Sequence, residues 1–359
     1  WGGHLDTIKE AETIRDELYR IALGVWDHIK NGGDHGAANW ALEWVGALPG
    51  KRESRRFLGD HVLTENDLRQ ATLFPDRVAY GGWPMDTHPP YGIDAPEPPC
   101  LQPPLAEPYS IPLRSLYSRN LSNLFLAGRN ISASHLAFSS TRVMATCAVM
   151  GQAAGTAAAL CARHAWLPRT LAQDHIATLQ QQLLKDDATI LHLRNEDPLD
   201  WARTARVTAS SEQPDSPAHQ VTNGLFRQSR EATNRWASAV GAPLPQWLRL
   251  DLPTPRPLAQ VRLTFDTNLF RPLTLIHHDE FARKMIRGPQ PETVRDYRLE
   301  VLHGGEWREV ARVRGNYQRQ RVHNFAPVVA EAVRLTVEAT QGVPEARLFE
   351  VRLYSDVGD

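Results

Sequence analysis

The sequence predicts two structural classes in one chain: an α+β part over residues 1–195, then an all-β antiparallel jelly-roll sandwich over residues 200–356. Apolar residues recur at helical spacing in the first part and alternate with polar residues in the second. The pattern changes between Asp186 and Trp201. A chain of 359 residues is also long for one domain and comfortable for two.

The composition is that of a folded protein, with 42% hydrophobic and 23% charged residues. A formal net charge of −1 argues against a non-specific nucleic-acid binder. Cys100, Cys147 and Cys161 are too far apart for a metal centre, and their odd number argues against a disulfide framework. We therefore predict no metal site, and we interpret Cys147 and Cys161 as packing residues.

Two helices are predicted near the N-terminus. Thr7 and Glu10 have capping-box spacing, and apolar residues at helical steps follow them as far as the glycines of NGGDHG. A second helix is predicted from Asn39 to a stop at Pro49-Gly50. Between Gly81 and Pro112 the prolines are too dense for regular structure, so we expect a loop.

The stretch NLFLAGRNISASH, residues 123–135, predicts a short buried strand that ends at a glycine. A small-residue helix, Val143–Leu160, follows it, with Ser139-Ser140-Thr141 as its N-cap. Its length and polar residues favour a core helix over a membrane span, so we expect no transmembrane segment. Gly151 and Gly155 lie one turn apart, which lets a backbone or a flat ligand approach closely. Tight packing without a ligand explains these glycines equally well.

An amphipathic helix around Gln173–Lys185 closes the first part. In the second part, period-two alternation marks five strands with one wet face each: QWLRLDL, AQVRLTFD, YRLEV, VRLTV and FEVRLY. Their arginines lie mostly at outward positions, which favours a solvated face over a basic groove.

The segment NLFLAGRNISASHLAFSSTRVMATCAVMGQAAGTAAAL resembles the C-terminal FAD-contacting segment of FAD-dependent oxidoreductases of the glutathione-reductase-like superfamily. It is most similar to a bacterial branch found beside polysaccharide-degrading genes. Upstream matches include KRESRRFLGDHVLTENDL, YGGWPMDTHPP and YSIPLRSLYSRN, so the resemblance covers roughly residues 1–170. It implies FAD as the cofactor, with the N-terminus of the small-residue helix under the flavin's pyrimidine edge. The FAD neighbours it implies are Gly128, Arg129, Asn130, Arg142, Gly151, Gln152 and Gly155.

One part of the family pattern is missing. The G-x-G-x-x-G fingerprint, which holds the dinucleotide's pyrophosphate, does not occur in this sequence. The chain also opens at WGGHLDT, without an initiator methionine or a leader. We interpret it as a C-terminal fragment of such an enzyme and expect this chain alone to be inactive.

Residues 200–356 resemble the discoidin, or galactose-binding-like, sandwich through TARVTASSEQ, VTNG, RWAS, PQWLRLDL and FEVRLYS. The resemblance implies loops at one end that bind sugars, proteins or membranes, and it leans towards an extracytoplasmic site. For Trp236 and Trp247, core packing is favoured over sugar stacking. HHDEF, from His277 to Phe281, lies in a non-alternating insert and is either a loop tip or ordinary surface.

A flavin implies redox chemistry. If the substrate is an alcohol, its hydride passes to the flavin while a base takes the hydroxyl proton, a role that suits histidine because its ordinary pKa is about 6.5. The candidate bases are His61, His88 and His135, with His88 and His61 preferred. Arg55 and Arg56 are candidates for clamping a polar substrate, and pairing with Glu53 is an equally good interpretation.

Our leading hypothesis is an FAD-dependent oxidoreductase that acts on a hydroxyl of a saccharide or a related small molecule, with a sandwich that contacts glycans. The alternative is a non-catalytic carbohydrate- or protein-binding module whose first domain is degenerate and free of cofactor.

Overall fold

The computed structural model of the chain describes residues 1–271 and 278–356. They form two compact units, Trp1–Leu183 and Leu184–Asp359. The first contains helices and a small sheet, and the second is an antiparallel β-sandwich. The predicted fold class, α+β followed by all-β, is therefore confirmed.

The predicted first helix is present as α1, Ala11–Asn31. Its leading turn is capped by Asp6 and not by Thr7. The Asp6 carboxylate accepts hydrogen bonds from the amides two and three residues ahead, at 2.9 and 3.1 Å. Glu10 Oε2 accepts one from the Asp6 amide at 2.7 Å. This reciprocal arrangement resembles a capping box but joins residues four apart, Asp6 and Glu10, and it closes the turn at residues 7–10 that leads into α1.

The predicted second helix over residues 39–50 is wrong, because this stretch has no helical hydrogen bonding. Trp40, Trp44 and Leu48, which would form its apolar stripe, are 70%, 79% and 89% exposed. A short amphipathic helix is stable only when its apolar face packs against something. Here no described residue covers that face, and the segment is irregular.

Two strands, β1 (Arg77–Gly81) and β2 (Tyr109–Pro112), pair antiparallel and enclose the proline-rich segment. The prediction of a loop is wrong at Tyr109–Pro112, which form β2, whereas residues 82–108 are a loop as predicted, with one short 3₁₀ turn at Gly92–Asp94. Reciprocal backbone hydrogen bonds of 3.0 and 2.9 Å between Thr87 and Leu101 hold its two halves together. A short helix, α2 (Glu65–Arg69), precedes β1.

The strand predicted at Asn123 is reduced to a single bridge between Tyr117 and Phe125. Leu126 is buried and its amide donates to the carbonyl of Leu116 at 2.7 Å. A strand needs a partner along its whole length to satisfy its backbone groups. The described residues supply one for this bridge only, so the predicted strand is wrong beyond it.

Four helices follow: α3 (His135–Thr141), α4 (Met144–His164), α5 (Pro168–Asp174) and α6 (Ile176–Lys185). The predicted small-residue helix is confirmed as α4. Its predicted cap is wrong, because Ser139-Ser140-Thr141 lies within α3 and Val143 precedes α4. The helix predicted around residues 173–185 is interrupted at His175, and only the part after it forms α6.

Helix α4 is buried on one side only. Met150, Ala153 and Ala157 are fully buried, whereas Gly151 and Gly155 are exposed on the other side. Within the described ranges, α4 is the one helix long and apolar enough to cross a membrane by length and composition alone. A core helix of this composition has the same properties, and the buried side packs against β1 and α5. Cys161 is buried and Cys147 half-buried, both with free thiols.

The described residues of the second unit form seven strands, which in chain order are β3 (Arg206–Ala209), β4 (Trp236–Ala237), β5 (Gln246–Phe265), β6 (Val294–His303), β7 (Glu306–Val313), β8 (Gln320–Thr340) and β9 (Arg347–Tyr354). Their order in the sheet is β4-β9-β5-β8-β6-β7, with β3 on β5. The first part of β5 pairs with β3 and the second part with β9, while β8 pairs with both parts of β5. The pairing of β5 with β8 shifts register between Asp251 and Arg256, so both long strands contribute to two layers. In the insert that precedes β6, His277 lies outside the described residues, and Asp279–Lys284 form helix α7.

The predicted alternation along these strands is confirmed by a core built from their inward residues. That core includes Leu248, Leu263, Tyr297, Leu335 and Val351. Trp236 is also fully buried and its Nε1 donates to Ser211 O at 3.0 Å, as core packing requires. Trp247 is only half-buried, because it points to the opposite side of β5 from Leu248.

Arg352 departs from the prediction that the sandwich arginines form a solvated face. It is buried, and its Nε donates to Glu350 Oε2 at 2.8 Å. Burial raises the pKa of Glu350 to about 7 against the opposing charge of Arg352. Other strand arginines pair with carboxylates, including Arg298 with Glu338 at 2.8 Å.

We expect Gly59→Ala to destabilise the first unit by about 1–3 kcal/mol. A Cβ at Gly59 would lie 3.0 Å from Tyr117 O and 3.1 Å from Ser132 Cβ, where the backbone cannot withdraw. Gly24→Ala is the matched control, because Gly24 lies exposed within α1 with nothing within 4 Å of its Cβ. Helix propensity should make the control about 0.5–1 kcal/mol more stable. Urea unfolding followed by circular dichroism measures both, and equal effects would contradict the packing argument.

In the sandwich, burial lowers the pKa of His323 to about 4, with a further contribution from the charge of Arg321. The ring accepts or donates a hydrogen bond with Tyr297 Oη at 2.8 Å. Because the folded pKa is depressed, this histidine's contribution to stability is complete above its ordinary pKa and is lost as pH falls towards 4.

Wild-type protein should therefore lose roughly 2 kcal/mol more than His323→Gln between about pH 7 and about pH 4.5. The opposite trend from Glu350 is present in both proteins and cancels in the difference. Urea unfolding monitored by tryptophan fluorescence at the two pH values gives the comparison. Parallel losses in both proteins would show that His323 is not the group responsible.

Candidate functional site

The first unit contains a cavity of about 1090 Å³. One wall is helix α1, through Ala11, Ile14 and Leu18. The remaining walls are residues 48–54, the proline-rich loop near His88, and the start of α3 with Arg142. Its apolar wall and few convergent charged groups are typical of a small-molecule site.

The position of residues 51–57 is set by Arg129. Arg129 Nη1 donates to the carbonyls of Lys51 and Arg52, both at 3.0 Å. The amide of Phe57 donates to Asn130 O at 3.0 Å, so both ends of this irregular segment are tied to the chain after Gly128.

This arrangement brings Glu53 against His135, the first residue of α3. Glu53 Oε2 lies 2.5 Å from His135 Nδ1, and Glu53 Oε1 lies 2.6 Å from Arg56 Nη1. The carboxylate orients the imidazole and leaves its Nε2 as the ring atom able to exchange a proton with a ligand. His135 and Glu53 both line the cavity.

His88 lies in the same cavity with different partners. Its Nδ1 is 2.9 Å from Pro99 O, which requires a proton on Nδ1. Its Nε2 lies 2.8 Å from Arg52 Nη1 and 3.2 Å from Asp86 Oδ1. The ring's acceptor atom is therefore already engaged by a guanidinium.

Asp86 connects His88 to Arg142, whose Nη2 donates to Asp86 Oδ2 at 2.7 Å. Burial raises the pKa of Asp86, but a hydrogen bond from Gln102 and the charges of His88 and Arg142 outweigh it, so the pKa lies below its usual range. Asp86 is therefore a fixed negative charge beside the cavity.

The third candidate base, His61, is not brought to this cavity. Its Nε2 lies 3.4 Å from Asp67 Oδ2, and its ring packs edge-on against Phe74 at 4.8 Å between centroids. Asp67 in turn caps α2, accepting from the Thr64 amide at 2.8 Å. His61 therefore packs against Asp67 and Phe74, outside the lining of the cavity.

Of the two candidate substrate clamps, Arg56 pairs with Glu53, as the alternative interpretation proposed. Arg55 is exposed and does not line the cavity. Arg52, which sequence reasoning did not single out, is the arginine of this segment that reaches the cavity beside His88.

Among the residues implied as FAD neighbours, Arg142 lines the cavity. Gly128 has a φ of +89°, which favours glycine, and its neighbours Arg129 and Asn130 hold residues 51–57. Gly151 and Gly155 lie on the exposed side of α4, with no described atom within 4 Å of a Cβ added at either one. Side chains do not fill this side of the helix, so the glycines fit a flat ligand lying against α4.

Sequence reasoning missed Asp86 as the partner of His88. A local signal existed, because residues i and i+2 of an extended segment lie on one side, and PMDTH has this spacing. The Glu53–His135 pair had no such signal, since the two residues are far apart in the chain.

The sandwich has a separate, smaller pocket of about 130 Å³. Three arginines line it, Arg227, Arg235 and Arg347, together with Asp266, Asn268 and Phe270. Arg235 Nη1 donates to the buried Asp266 Oδ2 at 2.8 Å. Charged hydrogen-bonding groups beside an exposed aromatic ring are a donor set suited to a polar ligand such as a sugar.

The family model for FAD dependent oxidoreductases matches residues 4–183, the part of the chain that contains the larger cavity and α4. The chain belongs to the FAD dependent oxidoreductase family. The search of curated proteins found no match to this chain.

Solved structures that resemble the chain include carbohydrate-binding modules. One is the family 32 module of C. perfringens NanJ in complex with galactose, at 18% identity, 43% coverage of this chain, 96% of that chain and a TM-score of 0.33. The family 32 module of Streptococcus pneumoniae EndoD has 18% identity, coverages of 44% and 99%, and a TM-score of 0.34. Chitosan-binding module 1 of a Paenibacillus sp. IK-5 chitosanase/glucanase has 21% identity, coverages of 43% and 98%, and a TM-score of 0.32.

Arg129→Ala should loosen residues 51–57 of this oxidoreductase-family chain. Removing an exposed guanidinium that bonds two carbonyls costs about 1 kcal/mol, which corresponds to roughly fivefold faster amide exchange in that segment. Hydrogen exchange with mass spectrometry measures the effect, and Arg163→Ala, an exposed arginine in the last turn of α4, is the control. Unchanged exchange at residues 51–57 would show that other contacts position Glu53.

Proposed function

We propose that this protein is an FAD-dependent oxidoreductase that oxidises a hydroxyl group of a saccharide or a related small molecule. The observation that supports this most directly is the Glu53–His135 pair in the cavity, with Nδ1 held by the carboxylate and Nε2 left for a substrate proton. The family to which the chain belongs supplies the redox class.

In this proposal His135 and not His88 is the base. The Nε2 of His88 already accepts from Arg52 at 2.8 Å, so this atom is not free to take a substrate proton. His135 has a carboxylate partner instead, which stabilises the imidazolium that forms when Nε2 takes the hydroxyl proton. Arg52 then serves to bind substrate oxygens through its remaining N–H donors, and His88 holds its guanidinium in place.

When bound, FAD would accept the hydride that leaves the alcohol carbon, so that the alcohol becomes a carbonyl compound. The residues proposed to hold the cofactor are Gly128, Arg129, Asn130, Arg142, Gly151, Gln152 and Gly155. The open glycine side of α4 would receive the flat ring, and the positive end of the helix dipole would favour negative charge near Met144. Asp86 would keep Arg142 oriented at the cavity edge.

The sandwich is proposed to contact glycans through the pocket formed by its three arginines, Asp266, Asn268 and Phe270. Phe270 would stack on a sugar face and the charged groups would bind its hydroxyls. Glycan contact of this kind favours an extracytoplasmic compartment.

The enzymatic proposal is tested on purified protein to which FAD has been added. We expect flavin absorbance that bleaches when an oxidisable saccharide is added without an electron acceptor. His135→Gln should slow bleaching by about 10²- to 10⁴-fold and Glu53→Gln by less, because the base itself remains. His164→Gln, at the exposed end of α4, is the control and should bleach normally.

Flavin that binds but bleaches equally fast in His135→Gln would contradict the role of His135. A flavin-free protein that binds glycans would support the alternative, a non-catalytic binding module.

Phe270→Ala should weaken glycan binding by roughly 5- to 30-fold, as expected for the loss of one stacking ring worth about 1–2 kcal/mol. Tyr317→Ala is a matched control, since Tyr317 is 66% exposed against 69% for Phe270 and does not line the pocket. A glycan array followed by calorimetry with the best ligand gives both affinities. Equal losses in the two variants would place the binding surface elsewhere.

A further inference from the structure

Three metal-ligating side chains converge at the end of α1. His28 Nε2 and His35 Nε2 are 3.0 Å apart, and Asp34 Oδ1 lies 3.3 Å from His35 Nε2. One ligand atom from each residue lies within 4.8 Å of the other two, which is true of no other group of three such residues in the described ranges. The prediction of no metal site rested on cysteine spacing and did not consider these residues.

The local fold explains why they meet. His28 belongs to the last turn of α1, and the glycine-rich loop after it folds Asp34 and His35 back onto that turn. Gly33 and Gly36 have φ values of +86° and +63°, which glycine adopts without strain. A Cβ at Gly32 would lie 3.3 Å from Asp34 Oδ1, so a side chain there would crowd the carboxylate.

The chain beyond the loop is also fixed. Lys30 Nζ donates to Ala38 O at 2.6 Å and to Trp40 O at 2.7 Å. The ligand-bearing loop, residues 32–36, is therefore held at both ends, and its side chains are positioned before any ligand arrives.

A hydrogen bond between the two imidazoles accounts for only part of this geometry. His35 Nε2 faces both His28 Nε2 and Asp34 Oδ1, so one N–H would have to be shared between two acceptors. Three lone-pair donors around one point repel each other unless a proton or a cation lies between them. Ligand atoms around tetrahedral zinc, with Zn–N near 2.0–2.1 Å, are roughly 3.3 Å apart. The separations of His35 Nε2 from His28 Nε2 and from Asp34 Oδ1, 3.0 and 3.3 Å, are close to this value.

We propose that His28, Asp34 and His35 bind a borderline divalent transition metal such as Zn²⁺. Two imidazoles and one carboxylate suit Zn²⁺, Ni²⁺ or Cu²⁺, whereas Mg²⁺ and Ca²⁺ prefer oxygen ligands. All three residues are exposed, which leaves a fourth position for water. The metal would clamp the glycine-rich loop onto α1. About 15 Å of helix separates His28 from Leu18 at the cavity, so the site is distinct from the proposed redox centre.

The test uses the whole chain, stripped with a chelator and titrated with Zn²⁺ against a chromophoric competitor. We expect one tightly bound Zn²⁺ that is lost in His28→Gln and in His35→Gln and weakened at least tenfold in Asp34→Asn. His175→Gln should bind as wild type, because His175 stacks on Trp166 away from these ligands. Mg²⁺ should not compete.

Binding that persists in both histidine variants, or wild-type protein that takes up no stoichiometric Zn²⁺, would overturn the proposal. A second measurement on wild type alone removes any dependence on variant folding. In NMR spectra, Zn²⁺ should shift the imidazole ¹H–¹⁵N signals of two histidines, which we expect to be His28 and His35. Unchanged histidine signals would equally refute the site. Both readouts are independent of flavin and of enzymatic activity.

Discussion

The hydrogen bonds from the Arg129 guanidinium to the carbonyls of Lys51 and Arg52 are the constraint on which the first unit's site depends. Residues 51–57 belong to no helix or strand, so tertiary hydrogen bonds alone decide where their side chains lie. Once they are placed, Glu53 meets His135 and Arg52 meets His88. The guanidinium that makes Arg129 a candidate cofactor ligand therefore also holds the segment that carries Arg52 and Glu53.

The elements that could be predicted from the sequence are those whose residue pattern alone defines which side is buried and which is exposed. Helix α1 and the alternating strands of the sandwich expose one polar side and bury one apolar side within the chain. The helix predicted over residues 39–50 and the strand predicted at Asn123 had equally good local patterns, but neither finds sufficient partners among the described residues. A local pattern shows that an element requires a packing or hydrogen-bonding partner. Whether the rest of the chain provides that partner is seen only in the folded structure.

The candidate site could likewise be predicted only in part. Histidines in polar loops could be singled out by residue type, and His88 and His135 do meet at one cavity. Which of them is oriented by a carboxylate and which is engaged by a guanidinium depends on contacts between distant parts of the chain. His61 had the same residue-level signal and lies instead against Phe74. The convergence of His28 and His35 also depends on backbone dihedral angles at glycines, which residue type permits without dictating.

The two long strands of the sandwich, β5 and β8, run through both of its layers and pair with each other along most of their length. Neither layer therefore has a complete set of strands of its own, and the loss of either long strand would remove pairing from both layers. Such a domain should unfold in one cooperative step, without a stable intermediate, whether by heat or by pulling force. Changes in the loops of the domain should accordingly be tolerated, whereas a break in either of these two strands should disrupt the whole domain.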